Sequence, residues 1–211
     1  MTRDAQLTPW HDSDPEWFNR NPGLRGGPEF ADLHYAHRLL QNLLTGSALP
    51  PEVSKDVTDR LAEISAILSA HQVLEKDRND GWRPDLPGRG LPLMPEYFID
   101  AETDVKVSGR VTFGRFFLGG NSAVHGGSHP LLFDDVLGRV MNHYRSSVAR
   151  TAKLTVNYRR VTPIDVELTF DATVDSISGR KRSGTARLYD PDGNVCADAE
   201  ALFLELRPGQ A

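Results

Sequence analysis

From Asp104 to the C-terminus the chain alternates apolar and polar residues with a period of two, and a single stretch that is apolar nearly all round breaks the alternation. Val105, Val107, Val111 and Phe113 face one way, with Gly109 in the middle of the row, and Lys106, Ser108, Arg110 and Thr112 face the other. That is the pattern of a half-buried strand. Two more strands read the same way, through Ala152, Leu154, Val156 and Tyr158, and through Val166, Leu168, Phe170, Ala172 and Val174. A turn at Ser178-Gly179 leads into a strand ending near Tyr189, and Asp192-Gly193 signals a hairpin into a last strand carrying Val195, Ala197, Ala199, Ala201 and Phe203. The interrupting stretch begins near Ser128 or His129, has Pro130 in its first turn and runs to about Ser146. A helix apolar on nearly every side is buried on several sides. Gly138 inside it costs about 1 kcal/mol relative to alanine, which a close packing contact would explain. The order is strand, buried helix, then four strands joined mostly by hairpins. An antiparallel sheet wrapped around one central helix satisfies it, an α+β architecture.

The N-terminal third follows another grammar. Residues 1–28, with Trp10, Pro15, Trp17 and Pro22, read as an irregular arm. Pro28 opens a helix to about residue 45, with Phe30, Leu33, Ala36, Leu40 and Leu43 on one face, and Gly46 ends it. Pro50-Pro51 opens a second, striped by Val53, Val57, Leu61, Ile64 and Leu68. The two are expected to form a helical hairpin serving as a cap or as an interface with a partner subunit. His34, His37 and His71 lack the ligand spacing of a metal site, so no metal and no cofactor is expected. Four prolines and three glycines make residues 77–95 a linker. The expected division is an arm, helical hairpin and linker over 1–94 and a second domain over 95–211.

Charge narrows the function classes. The chain is acidic overall, with a formal net charge of −5, so it has no electrostatic footprint for nucleic acid, and an anionic ligand must be met by a local basic patch. One cysteine, Cys196, permits no intrachain disulfide, which fits a reducing compartment and a packed, inert thiol. The N-terminus lacks a signal-peptide pattern and no apolar run approaches the roughly 18 residues of a membrane span. A cytoplasmic protein is the expectation.

Two segments carry chemistry. Gly119-Gly120-Asn121-Ser122-Ala123-Val124-His125-Gly126-Gly127 stands between a strand and the buried helix. Glycines admit close backbone approach, and N–H groups at a helix N-terminus point outward and favour negative charge. That is what an oxyanion needs during acyl transfer, although a plain tight turn has the same composition. Asp134-Asp135 lies within the apolar helix. A buried carboxylate is costly without a partner, so one of the two reaches solvent or pairs with an arginine, or at least one serves a site where desolvation makes it a better base.

His125-Gly126-Gly127, followed by Asp134 nine residues after the histidine and then Gly138, resembles the active-site helix of hotdog-fold acyl-CoA thioesterases. The resemblance is to the phenylacetate-pathway type and the similar human thioesterase-superfamily proteins. The run Thr151 to Arg160 with Pro163, and Gly179-Arg180-Lys181, are also similar to that group, and the likeness spans roughly residues 95–206. It implies a hotdog fold with an N-terminal helical extension, and hydrolysis of acyl-CoA to free acid and CoA. By position, Asp134 would be the general base or nucleophile. Thr151 would hold the attacking water or the carboxylate. The Gly126 N–H would polarise the thioester carbonyl, and His125 would orient the loop. Asn121, Gly127, Asn157, Arg159, Arg180 and Lys181 would meet the substrate. The resemblance implies a site shared between two subunits, hence a homodimer or a dimer of dimers. Some relatives place Gln or Asn six residues before the histidine, where this chain has Gly119, with Asn121 two residues later.

Two other readings use the same fold. A non-catalytic acyl-CoA sensor usually carries a DNA-binding module, and the N-terminal helices show no helix-turn-helix with a basic second helix. A hydratase needs an Asp and His in a different placement, absent before Pro130.

Overall fold

The structure, a computed structural model, describes residues 25–143, 145 and 147–207. Most of the expected N-terminal arm, residues 1–24 with Trp10 and Trp17, lies outside the described residues. Eight strands and three α-helices follow in the order α1 (Gly27–Thr45), α2 (Pro51–Ser69), β1 (Glu96–Glu102), β2 (Lys106–Thr112), β3 (Leu118–Gly120), β4 (Ala123–Val124), α3 (Ser128–Asn142), β5 (Ala149–Tyr158), β6 (Glu167–Ser178), β7 (Lys181–Tyr189) and β8 (Val195–Glu205). Six of the strands form one antiparallel sheet in the order β1-β2-β6-β7-β8-β5, while β3 and β4 make a separate small hairpin.

The sheet wraps α3 because both faces of the bargain are apolar. Leu132, Phe133, Val136, Leu137, Val140 and Met141 of α3 are buried against Val107, Val111, Leu168, Phe170, Ala186, Leu188, Ala199 and Phe203 of the strands. The period-two rows of β2, β6 and β8 supply these inward residues, whereas Val105, Ala152 and Tyr158 of the expected rows are exposed. Cys196 belongs to the same core, fully buried, and burial pushes its thiol up.

Strand β1 is an addition to the expected set. Its alternation is short, and the prolines before it mask its start. It also explains Gly109. A Cβ there would stand 2.0 Å from the Phe98 carbonyl oxygen of β1 and 2.7 Å from the Phe170 ring. Gly138 behaves otherwise: a Cβ would meet only Phe203, at an ordinary 3.7 Å, so the expected tight packing contact is not there.

The expected linker is irregular but not loose. Buried Arg38 of α1 donates to His34 Nε2 (2.7 Å) and to the carbonyls of Met94 (2.8 Å) and Leu91 (3.1 Å). Buried Arg83 donates to the carbonyls of Arg25 (2.9 Å) and Gly27 (2.8 Å). Asn42 Oδ1 accepts the Phe116 N–H at 2.9 Å, tying α1 to the segment before β3. The arginine bonds give partly buried carbonyls their partners, and so tie the irregular segment to α1. Helix α2, in contrast, buries none of its residues, and Val53, Ile64 and Leu68 of its stripe stay exposed. Among the described residues no helix is long and apolar enough to cross a membrane.

Candidate active site

The loop before α3 is shaped by backbone contact. Gly119 passes so close to His125 that a Cβ would lie 2.7 Å from the His125 Cα. No Gln or Asn side chain fits at that position, which is the physical reason for the glycine. Asn121, two residues on, is exposed in the β3–β4 turn with φ 49. The His125 N–H donates to the Phe117 carbonyl (2.7 Å), and His125 Nδ1 accepts the Gly127 N–H (3.0 Å). The Gly127 N–H is therefore occupied by His125. The Gly126 N–H has no acceptor among the described residues, and the Gly126 carbonyl accepts the Tyr158 hydroxyl at 2.8 Å. Beneath the loop, buried His129 packs edge-on to Tyr158 and bonds Thr162 Oγ1 at 2.8 Å. Burial lowers the His129 pKa, with opposing contributions from the Gly126 and His125 carbonyls.

The two aspartates divide. Asp134 is exposed, not desolvated as its apolar neighbours imply. The Thr151 hydroxyl donates to Asp134 Oδ1 at 2.7 Å. A register shift in β5 between Thr151 and Lys153 is the local irregularity beside this contact, and such bulges re-aim side chains. Asp135 is the covered carboxylate, and it accepts from the Arg89 guanidinium and the Tyr97 hydroxyl. Burial, reinforced by Asp135, pushes the Tyr97 phenol well above its usual range, so it remains a donor. Sequence reasoning had no signal for Arg89, which lies 46 residues away from its partner. Nor did it single out Tyr158, although Tyr158 sits inside the run that carried the resemblance.

Asp134 opens on a cavity of about 190 Å³ that also touches Arg89, Gly138, Arg150, Thr151 and Phe203. None of His125, Gly126 and Gly127 lines it. Asp134 stands about 9 Å along α3 from its first residue, and Thr151 and Tyr158 lie about 20 Å apart along β5. Within one chain the carboxylate end and the glycine end thus stand apart. Of the remaining expected residues, Asn157 Nδ2 donates to Asp198 Oδ1 (2.8 Å) and Arg159 pairs with the same carboxylate, near the glycine end. Arg180 donates to the Glu205 carbonyl (2.9 and 2.6 Å), and Lys181 pairs with Leu204, itself opposite Arg150 of β5. Arg182 is a structural residue, buried and donating to the Met141 carbonyl at 2.7 Å.

A family model described as the thioesterase superfamily matches residues 121–197. No curated protein matches the chain. The crystal structure of a thioesterase superfamily protein is similar to 83% of this chain and 90% of its own, at 28% identity and a TM-score of 0.71. That share is more than residues 95–211 can supply, so the similarity extends into the N-terminal helical part. A hypothetical thioesterase protein from Streptococcus pneumoniae, crystallised with coenzyme A, is similar to 54% of this chain and 90% of its own, at 19% identity and a TM-score of 0.50, which is a likeness of fold. Residues 121–197 thus match the thioesterase superfamily, and the sheet wrapped around α3 is the hotdog fold of these structural relatives.

Proposed function

We propose that the protein is an acyl-CoA thioesterase whose active site forms between two copies of the chain. The observation that carries this reading is the Thr151–Asp134 hydrogen bond of 2.7 Å at the mouth of a cavity, with the Gly126 N–H left open near the N-terminus of the same helix. The superfamily match and the coenzyme A held by the streptococcal protein support the choice of substrate.

The sheet order supports the two-copy arrangement. Strand β5 is an edge with ten residues, from Ala149 to Tyr158, open to a neighbour. An exposed strand edge that long is a template for pairing with another chain. Antiparallel pairing of two β5 edges about a twofold axis sets the Thr151 end of one against the Tyr158 end of the other. Each Asp134 then faces the Gly126 loop of the partner copy.

In such a site the thioester carbonyl oxygen accepts the Gly126 N–H, where the α3 dipole favours developing negative charge. Thr151 holds one carboxylate oxygen of Asp134 and leaves the other for a water. Water adds to the carbonyl carbon as its proton passes to Asp134, the C–S bond breaks, and the thiolate is protonated to give CoA and the free acid. Direct attack by Asp134 would instead give an acyl-aspartyl anhydride that water opens. Single-turnover hydrolysis in labelled water separates the routes, because only the anhydride route carries label into Asp134.

The reading is tested by assaying free thiol from a panel of aromatic, medium-chain and long-chain acyl-CoA substrates with the wild-type protein and Asp134→Asn. Hydrolysis by the wild type and loss of about a hundredfold or more in the variant is expected. Tight CoA binding with equal, negligible hydrolysis by both proteins makes the chain an acyl-CoA sensor instead.

A further inference from the structure

The cavity at Asp134 does not end at α3. A second cavity of about 130 Å³ adjoins it and is walled by Arg78, Trp82 and Leu91 of the segment before β1, together with Glu75. Arg89 and Arg150 line both cavities, which sets the second, beside the N-terminal extension, next to the one on which Asp134 opens. Four cationic side chains, those of Arg78, Arg89, Arg139 and Arg150, thus line these two cavities in an otherwise acidic protein.

These arginines are not equivalent. Arg89 is committed to Asp135, and Arg139 to Glu102 at 2.8 and 2.6 Å. Their charges are balanced inside the protein. Arg78 has only a distant ion pair, 3.6 Å from Asp80, and is two-fifths exposed. Arg150 has no hydrogen-bond or ion-pair partner among the described residues. It sits next to Thr151 at the junction of the two cavities. Among the described residues Glu75 is the one carboxylate that lines the second cavity, opposite Arg78 and Arg150, while Arg89 is balanced by Asp135.

The wall itself is built with care. Gly88, Arg89 and Gly90 have consecutive left-handed φ values of 57, 58 and 76, and Arg89 is a non-glycine residue that bears the associated strain. The buried Arg38 holds the flanking Pro87 and Leu91 carbonyls in place at 3.3 and 3.1 Å. A segment fixed this firmly can position a side chain toward a ligand. The Trp82 ring and Leu91 add apolar surface beside the cations.

We infer that Arg150 and Arg78, with Trp82 and Leu91, form a second subsite that binds an anionic group of the substrate, a carboxylate or a phosphate, and that the N-terminal extension therefore helps to select the substrate. The inference rests on the reading of Asp134 as the hydrolytic residue. Two parts of an acyl-CoA could supply the anion: a carboxylate at the far end of the acyl group, or a phosphate of the CoA.

The test is steady-state hydrolysis of four thioesters: hexanoyl-CoA, adipyl-CoA, and the pantetheine thioesters of the same two acids. Wild type, Arg150→Gln, Arg78→Gln and the double variant are compared, with Arg150→Lys as the conservative control and thermal melting to confirm the fold. Losing a charge-assisted contact raises KM about tenfold with kcat little changed, more in the double variant, and Arg150→Lys restores part of it. If the loss falls on adipyl rather than hexanoyl esters, the anion is the distal carboxylate. If it falls on CoA rather than pantetheine esters, the anion is a phosphate. KM values unchanged on all four overturn the inference while leaving the hydrolase reading intact. If the wild type hydrolyses none of the four, calorimetric binding of CoA and of adipate decides: weaker binding by the double variant sustains the subsite, and equal binding removes it.

Discussion

Thr151 donates a 2.7 Å hydrogen bond to Asp134 Oδ1 across 17 residues of sequence, from an edge strand to the central helix. The bond fixes one oxygen of an exposed carboxylate and frees the other. Replacing Thr151 by valine keeps the shape and removes the donor. In stopped-assay thiol release, kcat is expected to fall about 10- to 100-fold with KM nearly unchanged, while Thr151→Ser retains most activity. A valine variant as fast as wild type would mean that the hydroxyl only caps the strand.

Asp135, one residue on, has the opposite fate. Its carboxylate is largely covered and receives Arg89 and Tyr97. Removing one partner of such a pair leaves an uncompensated charge. Arg89→Ala is expected to lower unfolding free energy by about 2–3 kcal/mol in urea titration, and Arg89→Ala with Asp135→Asn by clearly less. Equal losses in the single and double variants would show that the two side chains are not energetically coupled.

His34 gives the extension an acid limit. Burial first, then the charge of Arg38, lowers its pKa from 6.5 to about 4. The neutral ring is the form that accepts the Arg38 Nε–H. Between these values the unfolded chain takes up a proton that the folded one does not. The contribution of His34 to stability is therefore complete above about pH 6.5 and is lost as pH falls toward 4, by up to roughly 3 kcal/mol. Amide hydrogen exchange of residues 87–91, held by Arg38, should accelerate over that window relative to His34→Gln. A parallel pH dependence in both proteins would assign the effect to other groups.

Gly119 tests the loop. A methyl group there would stand 2.7 Å from the His125 Cα, against backbone that has little room to move. Gly119→Ala is expected to displace His125-Gly126 and lower kcat about tenfold or more, with only a modest change in melting temperature. Unchanged kcat would separate the loop geometry from the chemistry.

The sheet and the buried helix were legible because period-two rows and an all-round apolar helix leave one architecture that buries both. Strand β1 was not, since Pro92 and Pro95 stand before a row of only Tyr97, Ile99 and Ala101. The Asp134-Asp135 pair announced that a carboxylate needed a partner, but not which one. Arg89 is delivered by a strained turn in a segment whose prolines and glycines read as linker. Thr151 was reachable only through family resemblance, since no local pattern aims a threonine at a helix 17 residues back. The helix α2 stripe shows the converse: a clean amphipathic signal that none of the other described residues buries.

The central claim, hydrolysis by Asp134 of one copy with the Gly126 N–H of another, is tested most directly by mixing two inactive variants. Asp134→Asn keeps the donor and loses the carboxylate, while Gly126→Pro keeps the carboxylate and loses the donor. Thiol release from an acyl-CoA is measured for each alone and after co-refolding in equal amounts. Half of the dimers are then mixed, each with one intact site of two, so about a quarter of wild-type activity should return although neither variant is active alone. No recovery in demonstrably mixed dimers, or full activity in Asp134→Asn by itself, would contradict the account.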